Sequence, residues 1–240
     1  MIYHKLKTVF VEITKNASTS IKRTLISSYK EDVEGIYPGH DTYDMLMSEA
    51  NANNQDVSDY YKFTITRNPY DRFCSGFEYM QVAMRWPKSF DETLDYLLAC
   101  EARATGQPIS ILDTNGDPIA EKLNRALDGQ LQYWWDDAPI LIWPQIGFIK
   151  SKLLNGGLGI TTYFRIEEID QQWPTIAAAI TAKSGITVPT SLPVVNSLPE
   201  RPDWRTYFTG ELGQARMAKI QQLYADDFTT FGYSTTITFD

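Results

Sequence analysis

Two short stretches of this 240-residue sequence bring together cations, hydroxyls and helix starts in a pattern suited to oxyanions. The first is Glu12-Ile13-Thr14-Lys15-Asn16-Ala17-Ser18-Thr19-Ser20, where an apolar alternation runs into a short polar turn and a helix follows at once. A helix N-terminus leaves backbone N–H groups unpaired and carries roughly half a positive charge. A strand feeding directly into one therefore makes an anion cradle. Lys15 adds a full charge, Ser18, Thr19 and Ser20 add hydroxyl donors, and Lys22 and Arg23 stand one turn further along. The same residues also read as a capped helix beside a solvated lysine. The turn has no glycine, whereas a nucleotide loop of the form G-x-x-x-x-G-K-[ST] needs two, so a conventional ATPase or GTPase is disfavoured.

The second stretch is Arg67-Asn68-Pro69-Tyr70-Asp71-Arg72-Phe73-Cys74-Ser75. It puts an arginine at the carboxyl end of a strand, where parallel α/β sheets bind ligands, and a serine inside the next helix. Arg67 offers a planar fork to a phosphate, and Ser75 turns a hydroxyl to the same group. Taken singly, Arg72 reads equally well as a surface ion-pair partner and Ser75 as an ordinary helical serine. Two anion sites on successive strand–helix junctions strengthen each other.

The elements that must carry these stretches alternate along the chain. Residues 7–13 read as a strand, followed by a helix capped by Ser18, Thr19 or Ser20 and continuing through Ile21, Leu25 and Ile26. Residues 34–60 are polar and glycine-bearing, with at most a short helix over 42–48. Residues 61–67 form a second strand that stops at Asn68-Pro69, and a helix with Asp71 in its first turn follows. Ser89-x-x-Glu92 is a capping box opening a helix to about Arg103, and Asp117-Pro118 opens another. Residues 163–166 read as a strand, 170–183 as a helix containing Pro174, 187–208 as irregular, and 211–228 as a helix in a stretch ended by Gly232. This order predicts an α/β domain over residues 1–240, with a mainly parallel central sheet flanked by helices.

Composition narrows the function. The chain holds 22 basic against 30 acidic residues, a formal −8, with 43% hydrophobic residues. Residues 1–30 nevertheless carry Lys5, Lys7, Lys15, Lys22, Arg23 and Lys30 against Glu12 alone, a local +5. General nucleic-acid binding is disfavoured, while one small anion near the amino-terminal strand is favoured. No apolar run approaches the roughly 20 residues of a membrane span, and the start of the sequence has no secretory pattern. Cys74 and Cys100 form no CxxC pair and, with His4 and His40, a poor zinc set. The expectation is a cytoplasmic protein with reduced thiols and no metal. Asp113-Thr114-Asn115-Gly116-Asp117 departs from a calcium loop and reads as a turn. Tyr133, Trp134 and Trp135, with Trp86 and Trp143, read either as core or as a sugar-stacking surface.

Together, the two motifs resemble the sulfotransferases that use 3′-phosphoadenosine 5′-phosphosulfate, most closely the carbohydrate branch, with first motif I-P-K-x-x-x-T-S and second motif R-[DN]-P-x-x-R-x-x-S. That resemblance implies a P-loop-like three-layer fold. Lys15, Asn16, Ala17, Ser18, Thr19 and Ser20 then match the 5′-phosphosulfate site, and Arg67 and Ser75 the 3′-phosphate site. Thr14 stands where the family commonly has proline. The similarity continues more weakly over residues 164–169, Val195-Asn196-Ser197 and Asp227-Phe228-x-x-Phe231-Gly232-Tyr233, and Pro144-Gln145 resembles an element near the acceptor site. The implied reaction moves a sulfuryl group onto a hydroxyl of a carbohydrate, releasing adenosine 3′,5′-bisphosphate. Histidine is the usual base for such a step. His40, in Pro38-Gly39-His40, resembles the family's G-H element, whereas His4 precedes the first strand and reads as surface. Glu12, Glu49 and Glu78 stay open as alternative bases, and Asp41 or Asp44 as the residue orienting His40. Two rival readings remain, a nucleotide-binding module without turnover and a magnesium-dependent kinase with a degenerate loop.

Overall fold

A computed structural model describes residues 1–28, 40–104, 139–193 and 202–239. The expected helix at Asp117-Pro118, the 113–117 turn, the 133–135 aromatics and Val195-Asn196-Ser197 lie outside the described residues. The chain forms two compact units: Met1–Arg67 with Gln145–Arg201, and Asn68–Pro144 with Pro202–Asp240.

The first unit is built on a four-stranded sheet, β1 (Ile2–Tyr3), β2 (Thr8–Val11), β3 (Tyr61–Thr66) and β4 (Tyr163–Arg165), in that spatial order. β2, β3 and β4 are parallel, and only β1 pairs antiparallel with β2. All four residues of β2 are buried, as a strand covered on both faces requires. Phe10 and Phe63 stack with ring centroids 4.9 Å apart. Around them gather Ile21, Leu25 and Ile26 of helix α1 (Ser18–Ser27) and Trp173, Ile176 and Ile180 of a long helix, Ile169–Ser184. That long helix ends in left-handed Gly185, whose N–H returns to the Thr181 carbonyl at 2.8 Å, the glycine C-cap expected where a Cβ would be strained. Helix α2 spans Tyr43–Ala52, longer than the 42–48 stretch predicted, because Leu46 and Ala50 bury one face across its length.

The second unit is helical. Helix α3 (Pro69–Ala83) starts where the Asn68 side chain accepts from the Tyr70 N–H at 3.0 Å and Pro69 takes the first position. Helix α4 (Phe90–Ala104) opens on the predicted capping box. The Ser89 N–H donates to Glu92 Oε2 at 2.7 Å and the Glu92 N–H to Ser89 Oγ at 3.3 Å. The single helix expected over 211–228 is two, Gly213–Leu223 and Ala225–Phe231. They are separated at Tyr224, whose φ of −118° leaves the helical range and whose hydroxyl donates to the Ile142 carbonyl at 2.6 Å. Tyr70, Phe73, Phe77, Phe90, Phe208 and Phe228 fill the core of this unit. Among the described residues, no helix is long and apolar enough to cross a membrane.

Candidate active site

The site begins where β2 leaves the sheet. Glu12 and Thr14 remain buried beyond the strand, and the chain then turns through two left-handed residues, Lys15 at φ 67° and Ala17 at φ 56°. Neither is glycine, so each costs about 1 kcal/mol or more against an ordinary conformation. A turn passing through left-handed residues presents backbone N–H groups to an anion.

Asn16, between the two strained residues, is what fastens the turn. It is 1% exposed, and its Nδ2 donates to the Ile65 carbonyl at 2.7 Å and to Gln145 Oε1 at 2.8 Å. The loop is thereby tied to the end of β3, the neighbouring parallel strand.

Helix α1 starts on this turn without a side-chain cap. Ala17 occupies the cap position and has no side-chain oxygen to offer, and Ser18, Thr19 and Ser20 lie inside the first turn instead of capping it. This corrects the expected cap and has a consequence for binding. The N–H groups of Ser20 and Ile21 both reach the Ala17 carbonyl, at 3.1 and 3.3 Å. Among the described residues, no acceptor takes the N–H groups of Ala17, Ser18 or Thr19. A bound oxyanion would act as the missing cap.

Arg67 stands one residue beyond β3 and joins the same place. Its Nη1 donates to the Lys15 carbonyl at 2.9 Å, so the cation of the second motif lies on the backbone of the first. Its own backbone is clamped by Gln145, whose Oε1 accepts from the Arg67 N–H at 2.9 Å while Nε2 donates to the Arg67 carbonyl at 2.8 Å. Ser75 belongs to helix α3 of the second unit and is buried there. Arg72 is not a surface residue: it is 1% exposed and its Nη1 donates to the Trp143 carbonyl at 2.5 Å.

His40 is half-buried, two residues ahead of Thr42, the cap of α2. Of its two acidic neighbours, Asp44 is committed elsewhere. Its carboxylate accepts from Ser151 Oγ at 2.5 Å and from the Lys152 N–H at 2.7 Å, which anchors the start of α2. Asp41 lies near Glu12 and acts on it electrostatically. Glu12 is fully buried, with Lys22 Nζ 2.9 Å from its Oε1. Burial raises the Glu12 pKa, Asp41 adds to that, and Lys22 opposes it. Glu49 is exposed on α2 and Glu78 lies on α3 of the second unit. His4 is exposed, with Nδ1 3.1 Å from the Tyr60 hydroxyl.

Backbone N–H groups and a guanidinium are the donors that an oxyanion takes. Among the described residues, the N–H groups of Ala17, Ser18 and Thr19 and the Arg67 guanidinium come together beyond the carboxyl ends of two adjacent parallel strands. Gln145 is the residue that sequence reasoning undervalued. It lies 129 positions from Asn16, so no local spacing could have linked them.

Comparison with known families gives a match to the Sulfotransferase family over residues 1–234. No curated protein and no solved structure matches the chain.

Proposed function

The chain belongs to the sulfotransferase family, and from that membership we propose that it moves a sulfuryl group from 3′-phosphoadenosine 5′-phosphosulfate to a hydroxyl of a carbohydrate. The observation that supports this reading best is the hydrogen bond from the Arg67 guanidinium to the Lys15 carbonyl, which joins a cation of the second motif to the backbone of the first. In this reading residues 1–240 work as one sulfotransferase domain. The N–H groups of Ala17, Ser18 and Thr19, the hydroxyls of Ser18, Thr19 and Ser20, and the Lys15 ammonium take the 5′-phosphosulfate. Arg67 takes the 3′-phosphate, to which the family motif also assigns Ser75. Buried thiols at Cys74 and Cys100 suit a reducing compartment, the cytoplasm.

When bound, the donor supplies a sulfuryl group activated by its phosphate leaving group. The protein positions and stabilises around it. His40 accepts the proton of the attacking acceptor hydroxyl, Lys15 faces the charge growing on the sulfuryl and bridging oxygens, and the start of α1 faces the departing phosphate. None of these roles uses a metal, so activity is expected to persist in a chelator. Release of adenosine 3′,5′-bisphosphate from the donor, followed with a panel of sugar acceptors in excess EDTA, checks this. Turnover that vanishes with EDTA and returns with magnesium, or transfer of phosphate from ATP, would overturn the reading in favour of a kinase.

A further inference from the structure

We propose that Gln145 is the positioning residue that couples the two anion loops into one cooperative binding unit, an inference that rests on the nucleotide reading of the site. Its amide is fully buried and hydrogen-bonds to Asn16 Nδ2, to the Arg67 N–H and to the Arg67 carbonyl. The two on Oε1 come from donors and the one on Nε2 goes to an acceptor, so the amide orientation is fixed by its partners. Asn16 separates the two left-handed residues of the first loop, and the same Nδ2 also holds the Ile65 carbonyl. Fixing Asn16 fixes the backbone on either side of it. The Arg67 guanidinium on the Lys15 carbonyl closes a ring that runs Gln145, Asn16, Lys15, Arg67 and back to Gln145.

That ring transmits order both ways. An anion seated on the N–H groups of Ala17 to Thr19 holds the first loop in its strained form. Through Asn16 and Gln145 it also holds the Arg67 backbone, so the second anion meets a site whose ordering cost is already met. Linkage makes the effect reciprocal. Only a primary amide serves here: glutamate would set a carboxylate against the Arg67 carbonyl, and an apolar side chain would strand buried groups on both loops.

The test is calorimetric titration of the full chain with adenosine 3′,5′-bisphosphate, adenosine 5′-phosphate and adenosine 3′-phosphate. Wild type is compared with Gln145→Met, Asn16→Leu and the double variant, with far-UV circular dichroism recording the fold. The readout is the affinity gained when the second phosphate is added. Each single variant should cut that gain about tenfold, within the usual range of coupling between sites. The double variant should lose little more, because both residues act through one bridge. A gain that is unchanged while all three affinities fall together, losses that add in the double variant, or loss of the fold in both single variants would overturn the coupling. Wild type that binds none of the three nucleotides would overturn the nucleotide reading beneath it, a different and separately visible result.

Discussion

His40→Ala is expected to lower sulfuryl transfer by roughly 10²–10⁴-fold, the usual contribution of a positioned general base, while leaving the affinity for adenosine 3′,5′-bisphosphate within about twofold. His40 lies ahead of α2, outside the turn whose N–H groups and cations are assigned to the nucleotide. Its loss removes the proton acceptor and no donor to phosphate. Single-turnover rates beside calorimetric affinities check this. Full activity in the variant would move the base to a carboxylate, and Glu12 would come first among the glutamates. It is fully buried, and burial raises its pKa. Equal losses in rate and nucleotide affinity would make His40 part of the nucleotide site instead.

Lys15→Ala carries the second large effect and differs in kind. A preorganised cation facing charge that develops in the transition state contributes on the order of 10²–10³ in rate. Transfer should fall by that factor, and product-nucleotide binding should weaken as well. The backbone itself tolerates the change, since Ala17 already adopts a left-handed conformation two residues away. The loss in binding should shrink as salt rises, because screening weakens a half-buried charge in the wild type and leaves the variant little affected. Titrations at low and high ionic strength separate this from a folding defect. A salt-independent loss with a lowered melting temperature would contradict the role given to Lys15.

Much of the scaffold was legible in the sequence because its signals are local. The strand alternation before Lys15, Asn68-Pro69 at the start of α3 and the Ser89–Glu92 box each involve residues within a few positions of one another, and each appears where expected. The α1 cap departs from the sequence pattern for a local reason too. Hydroxyl residues at a helix start normally cap it, but the left-handed turn through Lys15 and Ala17 moves the cap back onto an alanine. The break at Tyr224 was hidden because the sequence pattern carries across it, while the buried hydroxyl that reaches the Ile142 carbonyl comes from 82 positions away. Gln145 was hidden for the same reason, as its partners come from two distant strand ends. Arg72 looked like a surface charge because burying a guanidinium needs an acceptor, and the Trp143 carbonyl that supplies one is 71 positions distant.

Which nucleotide the wild-type chain binds separates a sulfotransferase from a kinase most directly. Calorimetric titration with adenosine 3′,5′-bisphosphate and, separately, with ATP and magnesium decides it. The predicted result is a saturating isotherm at one site for the bisphosphate and no heat of binding for ATP. Saturable binding of ATP with none of the bisphosphate would contradict the assignment of Lys15 and Arg67 to the two ends of one sulfonucleotide.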